Sequence, residues 1–260
     1  MSQIISSSTP ELLVSQRDAV LWLTINREER RNAMSHAVLA AMAQAITAAQ
    51  GERGIRAIVI TGAGVKAFCA GADLQSAKAF TTDYSEPHGH LANLLRVARA
   101  SCVPLIARVN GACMAGGMGL MSMCDMAVAA RHAVFGLPEV KIGVFPAQVL
   151  SVLQHLIPRR TLNEMCLTGE PITSAQALEL GLVNYIDDDV DAKLQWLLER
   201  LLDKSPAAIR RGLYTLKGVE SMAFEQAMSF TESQIALFTL TEDAKEIGRA
   251  SCRERVYVLV

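Results

Sequence analysis

Two glycine-bearing turns and one glutamate are the residues whose types and spacing could do chemistry. The first turn is Lys66-Ala67-Phe68-Cys69-Ala70-Gly71-Ala72-Asp73-Leu74, after a continuous apolar run. Small residues around Gly71 let a ligand approach the backbone, and the Ala72 amide is placed to donate outward. The second is Val109-Asn110-Gly111-Ala112-Cys113-Met114-Ala115-Gly116-Gly117-Met118-Gly119-Leu120. It too follows an apolar run and leads into an apolar helix, whose first amides attract negative charge and are left unobstructed by Gly116 and Gly117. Each turn alone also reads as a tight connection. Together they supply one backbone donor each, as an oxyanion hole needs for an enolate or a tetrahedral intermediate, and each such donor is worth ~10²–10³ in rate. Glu139 stands among Phe135, Leu137 and Val140. Desolvation there raises a carboxyl pKa and suits it to carrying a proton, although a Pro-Glu pair is also common at solvated turns.

These groups need a scaffold. Ala19–Ile25, Ala57–Thr61, Leu105–Val109 and Met126–Ala129 are short apolar runs of the kind buried in strands, and Leu182–Tyr185 is a weaker one. Ser35 is a helix cap for the stripe Val38, Leu39, Met42 and Ile46, and a second helix is expected near Leu91–Ala100. Strands alternating with helices predict right-handed crossovers and a mostly parallel sheet, an α/β fold. After Phe145-Pro146 helical periodicity takes over, in Lys193–Leu202, Pro206–Leu216 and Met222–Leu240. The division expected is a core over 1–199 and a helical region over 200–245.

Several functions lose support. The chain has 260 residues and a formal net charge of −1, with both signs interspersed. That gives no case for a nucleic acid or membrane partner. The start lacks a secretory pattern, and six cysteines without a CxxC pair read as reduced thiols of a cytoplasmic protein. The glycines do not form a GxGxxG dinucleotide fingerprint. His88 and His90, near Asp83 and Glu86, have no further ligands at metal spacing and read as part of a loop over the ligand. His132 and His155 read as packing or surface, Asp73 and Asp125 as turn or cap groups, and the methionines from Met114 to Met126 as an adaptable core.

Over about Val20 to Lys245 the chain resembles the crotonase (enoyl-CoA hydratase/isomerase) superfamily. The resemblance is carried by Asn26-Arg27-Glu28-Glu29-Arg30-Arg31-Asn32-Ala33-Met34, by Phe68-Cys69-Ala70-Gly71-Ala72-Asp73-Leu74, and by Asn110-Gly111 through Gly116-Gly117. Cys124-Asp125, Phe135-Gly136-Leu137-Pro138-Glu139-Val140-Lys141-Ile142-Gly143 and Leu167-Thr168-Gly169-Glu170 follow in order. It implies a crotonase-like β-β-α spiral core with a helical C-terminal trimerisation region, and a homotrimer or dimer of trimers. It also implies an acyl-CoA substrate, with no cofactor and no metal beyond the coenzyme A that is part of the substrate. The amides of Ala72 and Gly116 would hold the oxyanion and Glu139 would move the proton. Arg30 or Arg31 would meet the CoA phosphates, and Ala33, Ala70, Gly71, Asp73, Leu74, Gly117 and Gly119 would border the substrate.

The chain departs from the family's hydratases in its acids. Those enzymes usually carry one glutamate three residues after the second oxyanion glycine and another in the Phe-Gly-x-Pro-Glu motif. Here the first position is Gly119 and the second is Glu139. Two carboxylates hold and polarise a water, whereas one is enough to take a proton from one carbon and return it to another. The pattern leans toward double-bond isomerisation. Hydration with a second acid from elsewhere, thioester hydrolysis, decarboxylation and catalytically silent acyl-CoA binding are the alternatives. Ala147-Gln148-Val149-Leu150 replaces the small residues many hydratases have after the equivalent of Pro146. The stretch 246–260 reads like a translated sequencing adapter and is expected to be non-native.

Overall fold

A computed structural model describes residues 5–74, 85 and 87–241 of the chain. The expectations for Asp83, Glu86 and the tail 246–260 lie outside these residues. Strand β1 (Leu12–Arg17) turns at Asp18, whose φ is 51°, into β2 (Val20–Ile25). Helix α1 (His36–Gly51) starts as the sequence suggests, with the Ser35 hydroxyl accepting the Val38 amide at 3.2 Å. Then come β3 (Ala57–Gly62), β4 (Ala67–Cys69) and α2 (His90–Ala100), followed by β5 (Leu105–Val109), β6 (Ala112–Met114) and α3 (Gly116–Ser122). A third pair, β7 (Met126–Ala130) and β8 (Val134–Gly136), leads into a 3-10 turn over Pro138–Ile142. The remaining elements are α4 (Leu150–Leu153), α5 (Arg159–Thr168), β9 (Ile172–Thr173), α6 (Ser174–Glu179), β10 (Tyr185–Asp187), α7 (Val190–Leu202), α8 (Pro206–Val219) and α9 (Phe224–Phe238).

The strands form two sheets rather than the single sheet that hydrophobic patterning predicts. The larger has the order β1-β2-β3-β5-β7-β10, parallel except for β1, and the smaller has the order β4-β6-β8-β9, parallel except for β9. Each of β3, β5 and β7 is followed within a few residues by a three-residue strand of the other sheet. Three residues are too few to show a period, so patterning sees only the longer partner. The result is the β-β-α spiral that the resemblance implies.

The inner strands β3, β5 and β7 of the larger sheet are buried on both faces, as those of parallel sheets are. In β3, Ile58 and Ile60 enter the main core with Val38, Met42 and Leu94, while Ala57 and Val59 enter a second cluster with Leu194, Leu197 and Leu198 of α7. Helix α8 is held largely by polar contacts. Arg210 donates to the carbonyls of Gln50, Glu52 and Ile55 at 2.9–3.0 Å around the end of α1. Lys217 donates to Ala98 and Ser101 and pairs with Asp125 at 3.0 Å. Tyr214, Leu216, Phe224, Met228, Ile235 and Leu240, on and beside α8 and α9, remain exposed. Among the described residues no helix is long and apolar enough to cross a membrane.

Candidate active site

The smaller sheet brings the expected residues to one edge. Its strands β4, β6 and β8 are parallel neighbours, so their C-terminal ends share a side. Ala72 follows β4 by three residues, Gly116 follows β6 by two, and Glu139 follows β8 by three. Such an edge is where open α/β sheets place ligands, because the chain leaves each strand there with free backbone groups.

The two oxyanion candidates lie side by side. A Cβ placed on Gly116 would stand 3.7 Å from the Ala72 nitrogen, and one on Gly71 would stand 3.3 Å from the Gly116 nitrogen. Neither amide donates to a protein acceptor among the described residues. Ala72 is aimed by its neighbours, since Met34 N donates to Gly71 O at 2.7 Å and Asp73 N donates to Met34 O at 3.0 Å. Gly116 is aimed by strain. Ala115 has φ 52° and ψ −124°, a backbone an L-residue adopts only under constraint, at a cost of about 1–3 kcal/mol. Ala115 is held by its amide on Gly136 O and by Met118 N on its carbonyl, both at 2.9 Å. The chain thereby turns sharply from β6 into α3.

Glu139 sits in the first turn of the 3-10 segment. That segment packs on α5, and Lys141 bonds Glu170, just past the end of that helix, at 2.8 Å. Its Oε2 is buried, and among the described residues no hydrogen-bond donor reaches it. Burial pushes its pKa up, and a bond with its own backbone offsets only part of that. Its carboxylate in turn adds to the burial that raises the thiol of Cys166 on α5. A carboxyl group with a raised pKa and a free oxygen is equipped to accept and return a proton.

The other expected residues fall into two groups. Gly117 and Gly119 are buried against protein, for a Cβ on Gly117 would meet Cys69 O at 2.5 Å and one on Gly119 would meet Val149 Cγ1 at 2.8 Å. Asp73 is buried, with Arg27 Nη2 at 2.6 Å from Oδ2 and Arg30 Nη1 at 3.8 Å from Oδ1. Arg31 and Leu74 are exposed, Ala70 is half-buried, and Ala33 gives its carbonyl to Arg27 at 2.6 Å. Sequence reasoning missed the part played by Arg27. It is buried, pairs also with Glu11 at 3.3 Å, and ties the 27–34 turn to the loop that carries Ala72. Asp125 accepts the Leu105 amide at 2.8 Å and also forms the ion pair with Lys217. His132 braces Val65 O and Asn110 O, and Met118, Met121 and Met123 are core. Among the described residues no cluster of three or more His, Cys, Asp or Glu is arranged to hold a metal ion.

The family model for enoyl-CoA hydratase/isomerase matches residues 15–255. The chain is similar to the 2,3-dehydroadipyl-CoA hydratase of Escherichia coli strain K12, 33% identical over 91% of this chain and 93% of that one. It is also similar to the enoyl-CoA hydratase EchA19 of Mycobacterium tuberculosis, 34% identical over 95% and 96%. Among solved structures, an enoyl-CoA hydratase of Mycobacterium smegmatis superposes with a TM-score of 0.88 at 29% identity, covering 95% of this chain and 97% of that one.

Proposed function

The chain belongs to the enoyl-CoA hydratase/isomerase family, which acts on CoA thioesters, and from that premise we propose that it moves a carbon–carbon double bond along an enoyl-CoA acyl chain. Glu139 takes a proton from C2 of a 3-enoyl thioester. The electron pair delocalises onto the thioester oxygen, which the amides of Ala72 and Gly116 hold as an oxyanion. The protonated Glu139 then returns the proton to C4, leaving the 2-enoyl thioester and a regenerated carboxylate. The observation that carries this reading is the Glu139 carboxylate, half-buried with an enclosed Oε2 that has no partner among the described residues, in a chain whose residue 119 is glycine.

Arg31 and the exposed part of Arg30 are the cations that would meet the CoA phosphates, and coenzyme A enters as part of the substrate. The exposed apolar residues of α8 and α9 would be covered in a homotrimer or dimer of trimers. A solution mass of one protomer would rule that assembly out. Five free thiols among the described cysteines suit the reducing cytoplasm, which cell fractionation would check.

Turnover by wild type and Glu139→Gln tests the chemistry. We expect 3-enoyl-CoA to be isomerised and 2-enoyl-CoA left unhydrated, with the substitution lowering the rate by ~10²–10⁴ while acyl-CoA still binds. The second reading is hydration, favoured by the names of the relatives. Clear hydration by wild type would establish it and require a second acid. Binding without turnover of either substrate would point to another acyl-CoA reaction or to a silent binder.

A further inference from the structure

Residue 119 lies one helical turn beyond Gly116, on the same face of α3. A side chain there would overlook the amide that holds the oxyanion. That space is filled from elsewhere in the chain. A Cβ on Gly119 would stand 2.8 Å from Cγ1 and 3.4 Å from Cβ of Val149. Val149 is itself buried, 3% exposed, in the segment that joins the Glu139 turn to α4. Its carbonyl accepts the amides of Val152 at 3.2 Å and Leu153 at 3.0 Å, and its β-branched side chain has few rotamers to retreat into.

We propose that Val149 is a specificity-determining residue, whose isopropyl group closes the flank of the oxyanion site to a second carboxylate and its water and so confines the enzyme to proton transfer. The proposal rests on the reading of Glu139 as the sole acid. Adding water across a double bond needs a polar group that holds the water and polarises it. An isopropyl group offers no donor or acceptor. A carboxylate at 119 would have to push it aside, since 2.8 Å is far inside the ~3.5–4.0 Å of an ordinary carbon contact.

The test compares wild type with Gly119→Glu, Val149→Ala and the double variant, reading melting temperature and hydration of 2-enoyl-CoA. Gly119→Glu alone is expected to lower the melting temperature by roughly 4–10 °C, as overpacking does, and to hydrate nothing. Adding Val149→Ala should recover most of that loss and raise hydration by ~10² or more over wild type. Where Gly119→Glu fails to fold, Gly119→Ala probes the same contact, destabilising wild type and stabilising the Val149→Ala background. Three results overturn the proposal: a Gly119 variant as stable as wild type, Gly119→Glu alone hydrating as fast as the double variant, or a fully stable double variant that hydrates nothing. Failure of the single-acid reading shows separately, as hydration by wild type or isomerisation that survives Glu139→Gln. The melting comparison stands whatever the turnover.

Discussion

The two sheets of this molecule use the same strand geometry for opposite ends. In the larger, β3 buries all six of its residues and meets apolar side chains on both faces. In the smaller, the three-residue strands β4, β6 and β8 run out into a strained alanine, a glycine with φ 101°, and two amides and a carboxylate oxygen that have no partner among the described residues. Each of these carries a local cost that an isolated three-residue strand could not sustain. The spiral offsets it by alternating, so that β4, β6 and β8 are each tied within a few residues to a buried strand of the larger sheet. Stability and chemistry are thereby divided between neighbours in the chain.

A crossed pair of substitutions would break this division if it is wrong. Gly71→Ala places a methyl group 2.8 Å from Ala115 Cβ at a backbone angle that favours glycine, displacing the amides of Ala72 and Gly116 that we propose hold the oxyanion. We expect kcat to fall by ~10²–10³, the loss of about one oxyanion donor, while the affinity for a saturated acyl-CoA changes far less. Ile60→Val removes a methyl group from the fully buried centre of β3 and should cost about 0.5–1.5 kcal/mol of unfolding free energy with kcat unchanged. Chemical denaturation and steady-state kinetics on both variants give the answer. A Gly71→Ala enzyme with wild-type kcat, or an Ile60→Val enzyme crippled in kcat yet folded, would show that the sheets are not so divided.

The same contrast decides what the sequence reveals. Ala57–Thr61 and Leu105–Val109 announce themselves by composition, because a strand buried on both faces needs an unbroken apolar run. Ser35 is equally legible, because a cap acts on amides three residues away. Ala67–Cys69, Ala112–Met114 and Val134–Gly136 are strands only because a neighbour pairs with them, and nothing within three residues encodes that pairing. Ala72, Gly116 and Glu139 could be named from the resemblance, yet their gathering follows from the order of β4, β6 and β8. Val149 lies thirty residues from Gly119, and Asp73, one of the two carboxylates that engage Arg27, is forty-six residues from it, so both contacts belong to the tertiary fold alone.

The smallest expected effect sharpens the comparison at its most costly group. Burial raises the Glu139 pKa above its value in the unfolded chain, so the native state holds this proton more tightly than the unfolded state does. The penalty is therefore absent below the ordinary carboxylate pKa of about 4.3. It grows as pH rises from there to the raised folded value, and is complete above it. Glu139→Gln removes the ionisation and should melt higher than wild type at neutral pH, with the gap closing as pH falls below about 4. Wild-type activity should run the other way, declining as the pH drops through the raised pKa because the proposed first proton transfer needs the ionised carboxylate. Paired melting curves from acid to neutral pH check the sign. A gap that does not depend on pH would mean that the carboxylate is no more costly in the fold than in the unfolded chain, and that the smaller sheet's edge bears less of the functional burden than its geometry indicates.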